Sequence, residues 1–226
     1  MGLIQSLEQK CAERIYLAQR EQEFDSLYDF KERVEPGLEQ LKILIQIGAF
    51  RFTQRSRKEL LWEAHSYYSQ KKETHISAKL FTEAPKSYTL PPLEDSWLEI
   101  AIDQREFLGF TLCSPFELLS EPLPEGSQVR AKELYKLRNK SVMLEGYLVT
   151  VKPTKTIGGK EMNFGTWIDR DGYFFDSIHF PQMVGRYPFK GRGIYRIWGQ
   201  VTVDFGVFNI EVTQMEKLGI KSDPRI

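Results

Sequence analysis

The feature that most constrains this chain is a series of five strand-like runs within residues 142–212. They cover 142–151, 162–168, 173–178, 193–203 and 207–212. Each is rich in aromatic and β-branched residues and is bounded by Gly, Asp or Asn. Turn chemistry stands between them: residues 157–160 with Gly158 and Gly159, then 169–172 with Asp169, Asp171 and Gly172, then 204–206 with Asp204 and Gly206. The gap between the third and fourth runs, 180–187, has room for one short helix. Three strands, a helix and two strands is the order of an OB-fold. That small closed barrel binds oligonucleotides or sugars on one sheet face and the adjoining loops.

The N-terminal half has the helical period instead. Residues 3–20 place Leu3, Leu7, Ala12, Ile15 and Ala18 near one stripe. Asp25 and Ser26 are expected to cap a second helix that stops at Pro36. A third, over 38–47, should end at Gly48, and Thr53 should cap a fourth running to about Ser69. Residues 71–92 hold three prolines and little periodicity, so they read as a linker. Helical spacing returns over 93–110, residues 120–126 form a second linker, and 129–137 read as a short helix or turn. The expected class is α+β. A helical region spans 1–70, a linker with a connecting helix 71–128, and the barrel 129–226.

The formal net charge of zero conceals a division. Residues 1–129 carry 15 Lys/Arg and 21 Asp/Glu, a net of −6, and residues 130–226 carry 16 and 10, a net of +6. The barrel half therefore has the sign expected for a phosphate-backbone partner. Its candidate contacts are Lys152, Lys155 and Lys160 around the first hairpin, with Phe164, Trp167 and Phe174 as stacking rings. Strand alternation sends about half of such rings into the core, and Phe174 and its neighbour Phe175 cannot face the same way. In the helical half, Gly48 and the basic run Arg51, Arg55, Arg57 and Lys58 could offer backbone N–H groups to a phosphate. The competing reading is an αα-corner with a solvated basic face.

Signs of catalysis are poor. His65, His75 and His179 form no metal-ligand pattern, and no P-loop, GxSxG or GxGxxG is present. Asp169 and Asp171 make a DxD pair, which hairpin chemistry explains better than a metal site. Cys11 and Cys113 are far apart and read as reduced core residues of a cytosolic protein. No apolar run approaches the ~20 residues that span a bilayer. No cofactor, metal or membrane partner is expected.

These pieces also fall in the order of a known family. The chain resembles the C-terminal part of the bacterial replicative DNA polymerase III alpha subunit. The resemblance is carried by residues 18–20 and 24–33, by 41–50 with its Ile47-Gly48-Ala49-Phe50, and by 57–61. It continues in Glu106 to Pro115 and in Gly146 to Phe180, including Lys155 to Phe164 and His179 to Pro181. It implies that residues up to about 70 are the tail of a helix-hairpin-helix region. It also implies that the barrel is the family's OB domain, near single-stranded template DNA. The palm carboxylates, the N-terminal phosphoesterase-like domain and the domain after the barrel have no counterpart here. Cys113-Ser114-Pro115 lacks the His that often precedes this Pro. The resemblance thus implies a non-catalytic fragment, a split-gene product or a degenerate copy, with the rest of the polymerase as a partner if the gene is split. The family's internal sliding-clamp motif, Q-x-x-L-F, has its place at Ser77 to Phe81, where Leu80 and Phe81 would anchor and Ser77 replaces the Gln. A stand-alone barrel that binds protein or another ligand is the alternative.

Overall fold

The structure, a computed structural model, describes residues 4–69, 93–123, 129–204 and 206–226. The expected clamp segment, with Ser77, Leu80 and Phe81, lies outside the described residues. Two compact units are present, Met1–Leu112 with Asp223–Ile226, and Cys113–Ser222.

Among its described residues the first unit contains five α-helices: α1 (Gln9–Glu21), α2 (Leu27–Val34), α3 (Leu38–Gln46), α4 (Arg57–Ser69) and α5 (Trp97–Leu108). Their apolar stripes meet in one core built on Cys11, Ile15, Leu27, Phe30, Val34, Leu41, Ile45, Phe50 and Leu60. Ser26 caps α2 as expected, its hydroxyl accepting from Asp29 N at 3.0 Å. Gly48 ends the α3 turn at φ +81°, a left-handed conformation that favours glycine.

Two helix starts differ from the expectation. Helix α1 begins at Gln9, because Ser6 is left-handed at φ 64° and breaks the helical path before it. Gln40 holds that entry, accepting from Glu8 N at 2.8 Å and donating to Ser6 O at 3.1 Å. Thr53 does not cap α4. It closes a 3-10 turn, Arg51–Thr53, and its hydroxyl donates back to Phe50 O at 2.8 Å. The cap is Ser56, whose hydroxyl accepts from Glu59 N while Glu59 Oε2 accepts from Ser56 N, each at 3.1 Å.

The second unit is a closed barrel in the order β1-β2-β3-β5-β4. Its strands are β1 (Ser141–Lys155), β2 (Glu161–Ile168), β3 (Phe174–His179), β4 (Ile194–Asp204) and β5 (Val207–Lys217). The short helix α6 (Pro181–Arg186) fills the gap between β3 and β4. All neighbouring strands are antiparallel except β3 and β5, which are parallel. This is the OB-fold. Closure depends on the long β1. Residues 141–147 pair with β4, residues 147–155 pair with β2, and a bulge between Leu148 and Thr150 bends the strand between the two.

The barrel interior is filled by Leu144, Leu148, Trp167, Phe175, Tyr195, Ile197, Val201 and Ile210. Trp167 is central, with Phe175 stacked at 6.3 Å and Tyr195 edge-on at 5.4 Å between ring centroids. Gly165 leaves the room for it: a Cβ there would stand 2.8 Å from both Ser177 Oγ and Trp167 Nε1. Trp167 Nε1 donates to Ser177 Oγ at 2.6 Å, and Ser177 Oγ lies 2.9 Å from His179 Nε2. Burial pushes His179 down to about 4, so the imidazole is neutral at pH 7 and suits this closed environment.

Candidate nucleic-acid interface

Period-two alternation divides β2 and β3 cleanly. Asn163, Gly165, Trp167, Phe175, Ser177 and His179 face inward and are buried. Phe164, Thr166 and Ile168 face outward on β2, and Phe174, Asp176 and Ile178 face outward on β3. Register places Phe164 opposite Ile178, Thr166 opposite Asp176, and Ile168 opposite Phe174. Phe164 is 38% exposed and Phe174 65% exposed. Two large rings thus remain in solvent on one sheet face, where burial would otherwise be favoured by ~25 cal/mol per Å².

The three lysines take different positions around this face. Lys152 is the cross-strand partner of Phe164 on the same outer surface. Lys155 is the last residue of β1, paired with Glu161, and alternation turns it to the other side of the hairpin. Lys160 stands in the turn, where Thr156 N donates to Lys160 O at 2.8 Å and Gly159 N to Thr156 O at 2.9 Å. All three are exposed. The structure brings Lys152 directly beside a ring and places the other two along the rim.

Trp167 corrects the expectation. It is fully buried, its indole N–H is engaged by Ser177, and its ring faces are covered by Phe175 and Phe189. It is a core residue and cannot stack on a base. Tyr173 was not anticipated. It is 49% exposed at the β2–β3 turn, with Lys132 Nζ 5.5 Å from its ring centroid. The expected third strand began at Tyr173, whereas β3 begins at Phe174 and leaves Tyr173 in the turn.

The DxD pair is turn chemistry, as its place between strands suggested. Asp169 Oδ1 accepts from Asp171 N at 3.0 Å and Tyr173 N at 2.9 Å. Its Oδ2 accepts from Ala131 N at 2.9 Å, so the same buried carboxylate also fixes the short 3-10 segment Ala131–Lys136 that precedes the barrel. Among the described residues, no group of three His, Cys, Asp or Glu is placed to hold a metal. No described helix is long and apolar enough to cross a membrane.

The phosphate reading of the α3–α4 hairpin also needs correction. Gly48 N donates to Ile45 O and Ala49 N to Leu44 O, both at 2.9 Å. At the start of α4, Arg57 N donates to Asp95 Oδ2 at 2.8 Å, and Ser56 and Glu59 satisfy one another. These amides are therefore held by the protein's own acceptors. The Arg57 guanidinium turns inward to Gln46 O and Asp103 Oδ2, each at 2.9 Å. Arg55 pairs with Glu63, which offsets its charge. Arg51 is exposed and folds over the turn, its Nε 3.0 Å from where a Gly48 Cβ would stand.

A family described as the helix-hairpin-helix motif matches residues 1–60, about a quarter of the chain. No curated protein matches. Among solved structures, the hypothetical protein ygiW from E. coli is similar at 21% identity, covering 42% of this chain and 94% of that one, with a TM-score of 0.30. The second OB-fold domain of replication protein A from Methanococcus maripaludis is similar at 14% identity, covering 42% and 99%, also at 0.30. RecG bound to a three-way DNA junction is similar at 15% identity, covering 95% and 31%, at 0.28. The fold of the present barrel rests on its own strand order and closure.

Proposed function

We propose that the barrel binds single-stranded DNA on the outer face of β2 and β3. The chain would then serve as a non-catalytic, template-binding part of a replicative DNA polymerase III alpha subunit. The observation that carries the binding reading is the pair of exposed rings, Phe164 and Phe174, on adjacent strands with Lys152 beside one of them. Base–aromatic stacking contributes about 1–3 kcal/mol per base and tolerates any sequence. The helix-hairpin-helix match agrees with the place the polymerase resemblance gives to such a region. Docking of Ser77, Leu80 and Phe81 on a sliding clamp belongs to this same reading. A protein ligand is the alternative, favoured by Ile157, an apolar side chain left fully exposed at the tip of the β1–β2 turn.

Phosphate contacts release counterions, so affinity for oligo-dT should fall with salt at a log–log slope of about 0.7 per contact. Three lysines give a slope near ~2. Changing Lys152, Lys155 and Lys160 together to Ala should flatten that slope and leave thermal stability unchanged. Fluorescence anisotropy across a salt series reads both the slope and the affinity. An unchanged slope in the triple variant would remove these lysines from the interface.

The proposal also holds that the isolated chain does not catalyse nucleotidyl transfer, because the palm carboxylates that would hold the metal ions have no counterpart in its sequence. Primer extension by the purified chain should not rise above a mock preparation. Extension that survives repurification would contradict this.

A further inference from the structure

We infer that Asp176 gives the proposed single-strand site a preference among bases, with guanine favoured and thymine disfavoured. The inference rests on the single-strand reading above.

Asp176 lies at the midline of the outer face. The Thr166–Asp176 pair is flanked on one side by Phe164–Ile178 and on the other by Ile168–Phe174. Asp176 is two residues from Phe174 along β3, and Thr166 is two from Phe164 along β2. Each separation is about 7 Å at strand rise. A base stacked on either ring therefore turns an edge toward the carboxylate. Thr166 Oγ1 donates to Asp176 Oδ1 at 2.7 Å and fixes the carboxylate plane. Oδ2 has no hydrogen-bond partner among the described residues, and the side chain is half-buried.

An ionised carboxylate only accepts hydrogen bonds. It repels phosphate, so what it meets in a bound strand must be a base donor. On β5 the residue beside Asp176 is Asn209, and the next position on the same side, Glu211 opposite Ile178, adds a second negative charge. Phosphates are thereby kept to Lys152 and to the rim at Lys155 and Lys160, with bases over the middle. Guanine presents N1–H and N2–H side by side, the match to a carboxylate's two oxygens. Cytosine and adenine present one amino group each. Thymine presents N3–H flanked by two carbonyl oxygens, which oppose the carboxylate. Single-stranded bases are read on these edges because nothing else occupies them.

The test uses the full chain and labelled oligonucleotides of about 12 nucleotides, within the range one OB-fold covers. Three are compared by anisotropy: oligo-dT, oligo-dT with interspersed guanines, and the same oligonucleotide with each guanine replaced by inosine, which lacks the N2 amine. The guanine oligonucleotide should bind roughly 5-fold or more tightly than oligo-dT, with inosine between them. In Asp176→Asn and Asp176→Ala the guanine preference should fall below about 2-fold, and oligo-dT binding should hold or improve. Equal binding of all three oligonucleotides by the native chain would overturn the preference and leave the single-strand site standing. So would variants that raise affinity for all three by one common factor, since Asp176 would then act only as a repelling charge. Binding of none of them would remove the single-strand reading, and this inference with it.

Discussion

Trp167→Ala should unfold the barrel or leave it close to unfolding. The substitution deletes a fully buried indole and leaves a cavity among Phe175, Phe189 and Tyr195. Losses of this kind run to about 3–5 kcal/mol, a large part of the 5–15 kcal/mol by which a domain is stable. Ser177 also loses its donor, which adds a partly unsatisfied hydroxyl in the barrel interior. Closed packing limits relaxation, because Gly165 and Gly146 are already in contact with the ring and its neighbour Phe175. Thermal unfolding of the barrel should shift down by more than about 10 °C. Trp167→Phe should fall between the two, retaining apolar volume without the donor. A Trp167→Ala chain that melts within a degree or two of the original would show that the ring is not the centre of the core.

Replacing Phe164 and Phe174 together with Ala should do the opposite, weakening binding while sparing the fold. Both rings are solvent-exposed, so little packing is lost. If each stacks one base, the pair contributes about 2–6 kcal/mol, a fall in affinity of roughly 30-fold or more. The loss should appear at every salt concentration, because stacking releases no counterions, whereas the lysine triple variant changes the slope. Anisotropy and thermal melting of the same preparation separate the two effects. Intact affinity with an unchanged melting curve would exclude the β2–β3 face as the stacking surface.

Much of the barrel was legible because its signals are local. Strand composition, a DxxG turn after β2 and a single helix-length gap together leave little choice but the OB order. Strand ends were less legible. Strand β1 runs four residues beyond the expected 151, through Pro153 to Lys155, because the hairpin continues past the barrel wall. Two helix starts were less legible, for different reasons. Gln40 holds the entry to α1 from another helix, so that start is not written in its own neighbourhood. The α4 start is local, but two hydroxyls compete for it: Thr53 turns back to Phe50 O, and Ser56 with Glu59 forms the cap. The candidate site was half legible for a definite reason. Alternation says that one of Phe174 and Phe175 is outside, but it needs the strand register to say which. The same register put Phe164 outside and Trp167 inside, three residues apart on β2. Asp95 could not be read as the partner of the Arg57 amide, since 38 residues separate them.

The central claim is that the outer face of β2 and β3 is where a single strand lies. Amide chemical-shift mapping with oligonucleotide added to the isotope-labelled full chain tests it most directly. The account predicts saturable shifts concentrated at Lys152, Phe164, Thr166, Phe174 and Asp176, with Trp167 and the inward positions of the same strands moving less. Saturable binding with shifts confined to the helical unit, or to the opposite wall of the barrel formed by β4, would contradict it.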